Sequence, residues 1–195
     1  VLTYWPHFFF FLQNFLFIEL NSFIGGKVGH LWSLAVEEQF YLFWPWIILF
    51  VKEKYLGWVF GIGISVGVIF AILFHNFLFP ANSLVSAHPL TCLQAFCSGG
   101  YLAFLRKTCL LNETRVRILK FLAWISIVLY FTNKAGFFYI DGLDRTFISF
   151  FTVWIIYILV ENKYFGFRWL FDSALLVFIG KISYGIYIFH HFVPV

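Results

Sequence analysis

The sequence is short of charge and contains no methionine. Only 11% of its 195 residues are Asp, Glu, Lys or Arg, whereas soluble domains carry about 25%. So few charged side chains cannot coat a water-facing globule, and a soluble protein is excluded. The lack of methionine, together with a valine at position 1, leads us to expect a chain truncated at its N-terminus.

The fingerprints of metal, nucleotide and hydrolase sites are also missing. There is no His-Glu-x-x-His pair, no glycine-rich phosphate loop and no Gly-x-Ser-x-Gly turn. The three cysteines, Cys92, Cys97 and Cys109, lack metal-ligand spacing. The net charge of +4 comes from short clusters rather than the basic stripe of a nucleic-acid-binding face. We therefore expect no metal, no bound cofactor and no nucleic-acid partner.

Long apolar blocks dominate what is present. The sequence is 62% hydrophobic, and a membrane span needs about 20 mostly apolar residues in a helix. The blocks cover residues 2–24, 31–51, 56–79, 89–105, 118–132, 146–160 and 175–195. The first is interrupted by polar residues and is either a span or part of one. We predict an all-α, polytopic transmembrane helix bundle with six or seven spans, forming one domain over residues 1–195.

The connections between blocks alternate in basic content. Lys and Arg cluster at 52–54, 106–120 and 163–168, whereas 75–88 and 133–144 carry few. The basic connections are therefore expected on the cytoplasmic side. In the third block, the pairs Gly57 with Gly61 and Gly63 with Gly67 have the four-residue spacing that permits close helix packing.

The most informative polar segment is His-Leu-Trp-Ser-Leu-Ala-Val-Glu-Glu-Gln-Phe-Tyr over residues 30–41. Charged side chains inside a membrane helix are costly and usually face a polar interior. Helical spacing places His30, Ser33, Glu37 and Tyr41 on one face. The competing interpretation is that Glu37 only pairs with a basic residue on another helix. We favour a functional role in proton transfer or hydroxyl orientation.

A second polar segment lies near the end of the sequence, over residues 180–191. Ser183, Tyr187 and His190 recur at steps of three and four, so they form one stripe on a helix. Tyr184, Tyr187 and His191 form a neighbouring stripe. So many hydrogen-bonding groups on one side indicate a helix that lines a polar cavity. An interfacial belt of Tyr and His is the alternative, above all for His191.

At these two segments the sequence resembles the acyltransferase-3 family of membrane acyltransferases. Residues 30–45 resemble the family's Trp-Ser-Leu-x-x-Glu-x-x-Phe-Tyr signature, and residues 180–190 are similar to its closing Gly-x-x-Ser-Tyr-x-x-Tyr-x-x-His signature. The resemblance implies transfer of an acyl group, commonly acetyl, from acyl-CoA (acetyl-CoA) to a hydroxyl of a carbohydrate or lipid-linked glycan. It also implies a location in the bacterial cytoplasmic (inner) membrane, in contact with membrane lipid.

The resemblance assigns roles to residues of both segments. Glu37 and His30 are the predicted catalytic residues. The predicted cavity-lining residues are Trp32, Ser33, Glu38, Tyr41, Ser183, Tyr184, Tyr187 and His190. Members of the family carry an Arg and a His on their first helix, and this sequence has no counterpart. The chain therefore resembles the later six or seven helices, and we do not expect these 195 residues alone to be active.

Two other functions remain open at this point. One is a transporter or conduit, because a membrane-embedded carboxylate such as Glu37 serves a proton relay equally well. The other is a non-catalytic remnant of an acyltransferase. An Arg and a His on a helix upstream would favour the enzyme, and their absence would favour the remnant.

Overall fold

The computed structural model describes residues 4–24, 26–137, 140, 142–161, 169 and 171–192. Within these ranges it contains helices and turns and no strand, so the all-α prediction is confirmed. The helices are α1 (Trp5–Phe9), α2 (Gln13–Leu20), α3 (Trp32–Phe50), α4 (Glu53–Leu73), α5 (Pro89–Lys107), α6 (Glu113–Lys134), α7 (Asp144–Val160) and α8 (Ala174–Phe189). Short 3-10 turns cover Gly26–Leu31, Ser83–Ala87 and His190–Phe192, and a π turn covers Phe74–Leu78.

The first apolar block does not form one continuous span. It is broken between α1 and α2, where Phe11 has a φ of 55°. The polar residues that interrupt the block are the reason, because they turn inward to find partners. Gln13 donates to the carbonyl of Leu31 at 2.9 Å, and Asn14 donates to the carbonyl of Ala87 at 3.2 Å. The segment is thereby held against the start of α3.

Three helices are long and apolar enough to cross a membrane, namely Glu53–Leu78, Glu113–Lys134 and Ala174–Phe192. These belong to three of the six later predicted blocks, and helices α3, α5 and α7 occupy the other three. Helix α7 has 17 residues, at the lower limit for a crossing, and α3 contains the polar run 37–39. The protein is an integral membrane protein, and the total of six or seven spans stays a prediction.

Helices α4 and α5 pack closely through glycines. A Cβ on Gly63 would overlap the Sγ of Cys97, and one on Gly67 would overlap the backbone nitrogen of Gln94. The predicted close approach is therefore confirmed for the Gly63 and Gly67 pair. A Cβ on Gly61 would meet nothing within 4 Å, so that glycine does not serve the interface.

The charged residues at the helix ends show which connections lie together. Lys107 pairs with Glu53 at 3.6 Å and Arg106 with Glu161 at 2.9 Å. The ends of α5 and α7 therefore lie beside the start of α4, at one end of the bundle. Lys134 pairs with Asp144 at the opposite end. Within the described ranges, the basic connections at 52–54 and 106–107 thus share one end; Lys163 and Arg168 fall outside these ranges.

Candidate functional site

The two polar segments meet at the end of the bundle opposite the basic connections. The hydroxyl of Tyr187, near the end of α8, donates to the carbonyl of His30 at 2.6 Å. The same hydroxyl is hydrogen-bonded to the hydroxyl of Ser33, in the first turn of α3. A carbonyl can only accept, so Tyr187 commits its single proton to His30 and Ser33 must be the donor in the second bond.

Local chain geometry brings these groups together. The 3-10 turn Gly26–Leu31 leads directly into α3, and the turn His190–Phe192 continues α8. The two turns lie against each other. Gly29 is buried against Phe23, and a Cβ there would lie 3.0 Å from the Cβ of Phe23. The absence of a side chain at position 29 therefore lets the turn that carries His30 fold closely over Phe23.

Three imidazole rings lie in contact at this junction. The ring of His30 stacks on that of His191, with centroids 4.4 Å apart, and meets that of His190 edge-on at 4.7 Å. Both ring nitrogens of His30 are buried and have no hydrogen-bond partner among the residues that the structure describes. Across those same residues, no group of His, Cys, Asp and Glu side chains has the geometry to hold a metal ion.

The tautomer of His190 follows from its own contact. Its Nδ1 lies 2.6 Å from the carbonyl oxygen of Tyr187. Because the carbonyl cannot donate, Nδ1 must carry the proton in this bond. In the neutral ring Nε2 then has the free lone pair. The His190 side chain is exposed, so this lone pair is available to accept a proton.

Glu37 and Glu38 lie one turn further along α3, and both are half-buried. Ser33 precedes Glu37 by four residues, so the two share a face of the helix. In the described part of the chain, no residue forms a hydrogen bond or ion pair with either carboxylate. The countercharge that would make Glu37 a purely structural residue is therefore not found in that part.

Trp32 is partnered by an arginine from another helix. The guanidinium carbon of Arg145, in the first turn of α7, lies 5.3 Å from the centroid of the Trp32 ring. Its Nη1 donates to the carbonyl of Ser86 at 2.6 Å and to the Sγ of Cys92 at 2.8 Å. Arg145 thus connects the starts of α3, α5 and α7 beside the junction of the two polar segments.

Three predicted cavity-lining residues do not join this cluster. Tyr41 and Tyr184 are 59% and 58% exposed, and the hydroxyl of Ser183 donates to the carbonyl of Gly180 in its own helix at 2.8 Å. Helix α8 as a whole has no buried residue. The structure therefore brings together His30, Ser33, Tyr187 and His190, and the lining role of the other three stays a prediction.

Two residues of the site were not among those predicted from the sequence. His191 was placed on a polar stripe with Tyr184 and Tyr187, with an interfacial belt as the alternative, and was not counted among the lining residues. Arg145 belongs to neither polar segment, so the sequence analysis did not single it out. Its only signal in the sequence was its position as a lone arginine directly before an apolar block.

An apolar cavity of about 430 Å³ adjoins this site along α3. It lies between α3 and α5, and its lining includes Val36, Phe40, Trp44 and Phe96. The rings of Phe40 and Phe96 stack with centroids 4.2 Å apart. The lining is almost entirely apolar, and the amide nitrogen of its Gln39 side chain already donates to the Phe11 carbonyl and to Asn14. This side of α3 therefore suits polar chemistry less well than the side that carries Ser33.

Comparisons with known proteins agree with the two signature segments. A "Putative O-acetyltransferase SACOL0978" of Staphylococcus aureus (strain COL) is 32% identical over 192 residues, which cover 89% of this chain and 30% of that protein. The O-acetyltransferase OatA of Staphylococcus aureus (strain NCTC 8325 / PS 47) is 31% identical over 201 residues, which cover 93% of this chain and 33% of that protein. The chain thus spans about a third of the length of these relatives. No solved structure matches it.

The family comparison covers almost the whole chain. The profile of the acyltransferase-3 family, described as an acyltransferase domain, matches residues 1–194. This range includes both polar segments and every helix from α1 to α8. The chain belongs to the acyltransferase-3 family.

Proposed function

We propose that this chain is part of a membrane O-acyltransferase. The enzyme would move an acetyl group from acetyl-CoA to a hydroxyl of a carbohydrate or surface-glycan acceptor. The observation that carries the proposal is the meeting of the two family signatures, which are far apart in sequence, at Tyr187, His30 and Ser33. The names of the two staphylococcal relatives support O-acetyl transfer as the reaction.

The reaction needs a base for the acceptor hydroxyl. That hydroxyl transfers its proton to an imidazole as its oxygen attacks the thioester carbonyl, and the imidazolium returns the proton to the leaving thiolate. Both nitrogens of His30 are buried among neighbouring rings, whereas His190 is exposed and has Nε2 free. We therefore assign proton transfer to His190 and the positioning of its ring to His30.

Glu37 is assigned to the acceptor. A carboxylate without a protein partner in the described part of the chain can accept a hydrogen bond from a sugar hydroxyl. Glu37 shares a face of α3 with Ser33 and is not among the residues that line the apolar cavity, which supports this assignment. An oriented acceptor reacts faster because the entropy of alignment is lost on binding and not in the chemical step.

The sidedness of the site follows from the basic connections. The His30 and Tyr187 contact lies at the end opposite Arg106 and Lys107, and basic connections favour the cytoplasmic side. We therefore assign the site to the outer side of the cytoplasmic membrane, where a surface glycan is available. The acetyl thioester of a cytoplasmic acetyl-CoA must then reach this side through the complete protein while still attached to the CoA sulfur, and the CoA thiol is the product released.

Replacement of Glu37 by Gln, in the protein expressed from its full coding sequence, tests the function. The readout is base-labile acetate on the cell-envelope carbohydrate of the expressing cells, with the amount of protein in the membrane measured in parallel. We expect E37Q to insert normally and to lose ester-bound acetate. The matched control is E53Q, which removes a carboxylate paired with Lys107 at the other end and should retain acetylation. Wild-type acetylation by E37Q would remove Glu37 from the mechanism.

Absence of ester-bound acetate in cells that express the wild-type protein would contradict the proposed function itself. A conduit would instead pass a solute without forming an ester. The same cells, fed with labelled acetate, distinguish the two because only acyl transfer leaves the label covalently attached to carbohydrate.

A further inference from the structure

Arg145 carries a charge that no carboxylate in the described part of the chain neutralises. The ion pairs found there join Arg106 with Glu161, Lys107 with Glu53, and Lys134 with Asp144. The carboxylate next to Arg145 in sequence, Asp144, is thus already paired, and it also accepts a hydrogen bond from Asn133 at 2.8 Å. Arg145 itself is only half-exposed.

The guanidinium of Arg145 is held by several contacts, but these do not use all of its hydrogen-bond donors. Only Nη1 forms hydrogen bonds with described residues, to the carbonyl of Ser86 and the Sγ of Cys92. The guanidinium carbon lies 5.3 Å from the centroid of the Trp32 ring, within the range of a cation–π contact. Nε and Nη2 therefore remain as a pair of parallel donors, the arrangement that binds an oxyanion through two hydrogen bonds.

The position of Arg145 selects the kind of oxyanion. It is the second residue of α7, so it lies at the boundary of an apolar segment, which we expect at the depth of phospholipid headgroups. The guanidinium of Arg145 is half-buried and has no carboxylate partner in the described part of the chain, so a bound anion would offset the cost of burying its charge. A phosphate attached to an amphiphile supplies the countercharge and reaches this depth with its apolar part in the bilayer.

We propose that Arg145 and Trp32 form a binding site for the phosphate group of a lipid-linked ligand. Nε and Nη2 of Arg145 donate to two phosphate oxygens, while Nη1 keeps its contacts with Ser86 and Cys92. Trp32 directly precedes Ser33, so the bound phosphate lies beside the junction of the polar segments. The identification of this ligand with the glycan acceptor rests on the proposed acyl transfer; the binding of phosphate does not.

Binding is measured as a shift of the thermal unfolding midpoint of the purified protein in dodecyl maltoside. The probes are decyl phosphate, inorganic phosphate and, as the uncharged amphiphile, decyl glucoside. Wild-type protein should be stabilised saturably by decyl phosphate and unaffected by decyl glucoside, because a ligand that binds only the folded state raises the midpoint. If inorganic phosphate competes with decyl phosphate, the site recognises the phosphate group alone. If it does not compete, the site requires a phosphate that is attached to an amphiphile.

Variants identify the arginine responsible. R145Q should bind decyl phosphate at least about tenfold more weakly, and R145K should fall between it and wild type, because lysine keeps the charge and loses the paired donors. R117Q is the matched control, because Arg117 occupies an exposed position of α6, and it should bind as wild type does. Wild-type affinity in R145Q would overturn the proposal, as would lack of stabilisation in the wild-type protein. If R145Q does not fold, R145K decides, and an affinity equal to wild type overturns paired recognition.

Transfer activity is a separate readout of the same variants. Phosphate binding without any ester formation by the wild-type protein would refute acyl transfer and leave the phosphate site intact. Ester formation that R145Q leaves unchanged, together with unchanged phosphate binding, would refute the site and leave acyl transfer intact.

Discussion

The hydroxyl of Ser33 donates its proton to the hydroxyl of Tyr187, 154 positions away in the sequence. The direction is fixed because Tyr187 gives its own proton to the carbonyl of His30. A phenol oxygen is not a base at neutral pH, so this bond does not activate Ser33 as a nucleophile. Ser33 and Tyr187 therefore position the turn that carries His30, and the acyl group is not expected to pass through a serine ester.

Removal of the Tyr187 hydroxyl should loosen this junction. Y187F loses both hydrogen bonds and leaves the carbonyl of His30 unpaired, at a cost of about 1–3 kcal/mol. We expect acetyl transfer to fall by roughly tenfold or more. The matched control is Y55F at the start of α4, at the other end of the bundle, where the side chain is exposed and removal of the hydroxyl should leave transfer unchanged. Equal effects of the two variants on ester-bound acetate would show that the Tyr187 contacts have no special role.

Replacement of His190 by Asn distinguishes the roles of its two ring nitrogens. The Asn amide can donate to the carbonyl of Tyr187 as Nδ1 does, but it provides no counterpart of Nε2. If Nε2 is the base, H190N should keep wild-type stability and lose about 10²–10⁴-fold in transfer. Transfer by H191N, which removes another ring of the same cluster, should fall far less. A loss in H191N as large as that in H190N would contradict the assignment of the base.

The close packing of α4 on α5 makes a prediction about stability alone. G67A introduces a Cβ into the backbone of Gln94, and overpacking of this kind costs typically about 1–3 kcal/mol. G61A introduces the same group where nothing lies within 4 Å. The thermal unfolding midpoint in detergent should fall for G67A and not for G61A. A drop for both would indicate that helix propensity or lipid contact, rather than the interface, is being measured.

His88, in the turn that precedes α5, predicts a pH dependence of stability. Its Nδ1 accepts a hydrogen bond from the amide of Leu90 at 3.2 Å, which requires that nitrogen to be unprotonated. Burial lowers the pKa of His88 below its ordinary value of 6.5. The unfolded chain then binds more protons than the folded one below about pH 6.5. The contribution of His88 to the free energy of unfolding is therefore complete above about pH 6.5. It decreases as the pH falls and is lost once the pH is below the lower pKa of the folded state.

The measurement is the unfolding midpoint from pH 8 to pH 5 in wild type and H88N. Asn retains a side-chain acceptor suited to capping the start of a helix but does not titrate. We expect the decline with acid to be smaller in H88N, with the difference developing below about pH 6.5. Parallel curves for the two proteins would show that His88 does not contribute to the acid sensitivity.

Periodicity predicted the helices and failed where polar residues seek distant partners. The later apolar blocks became α3 to α8 because a helix satisfies its own backbone in lipid. Gln13 and Asn14 broke the first block, since their partners, such as the carbonyls of Leu31 and Ala87, belong to segments that no local pattern reveals.

The same reasoning explains what was found and missed at the site. His30, Ser33, Tyr187 and His190 were found because each lies on a polar stripe of its own segment. That the two stripes meet could not be derived from spacing, since it depends on tertiary packing. Arg145 was missed because its significance lies in a contact with Trp32 from a different helix.

A double-mutant cycle between Ser33 and Tyr187 tests the account most directly. Wild type, S33A, Y187F and the double variant are compared in the free energy of unfolding in detergent and in the rate of acetyl transfer. Residues that share a hydrogen bond are coupled by about 0.5–3 kcal/mol, so we expect S33A to have little further effect once Tyr187 is Phe. Strictly additive effects of S33A and Y187F would show that the two family signatures do not meet, and the site described here would then be wrong.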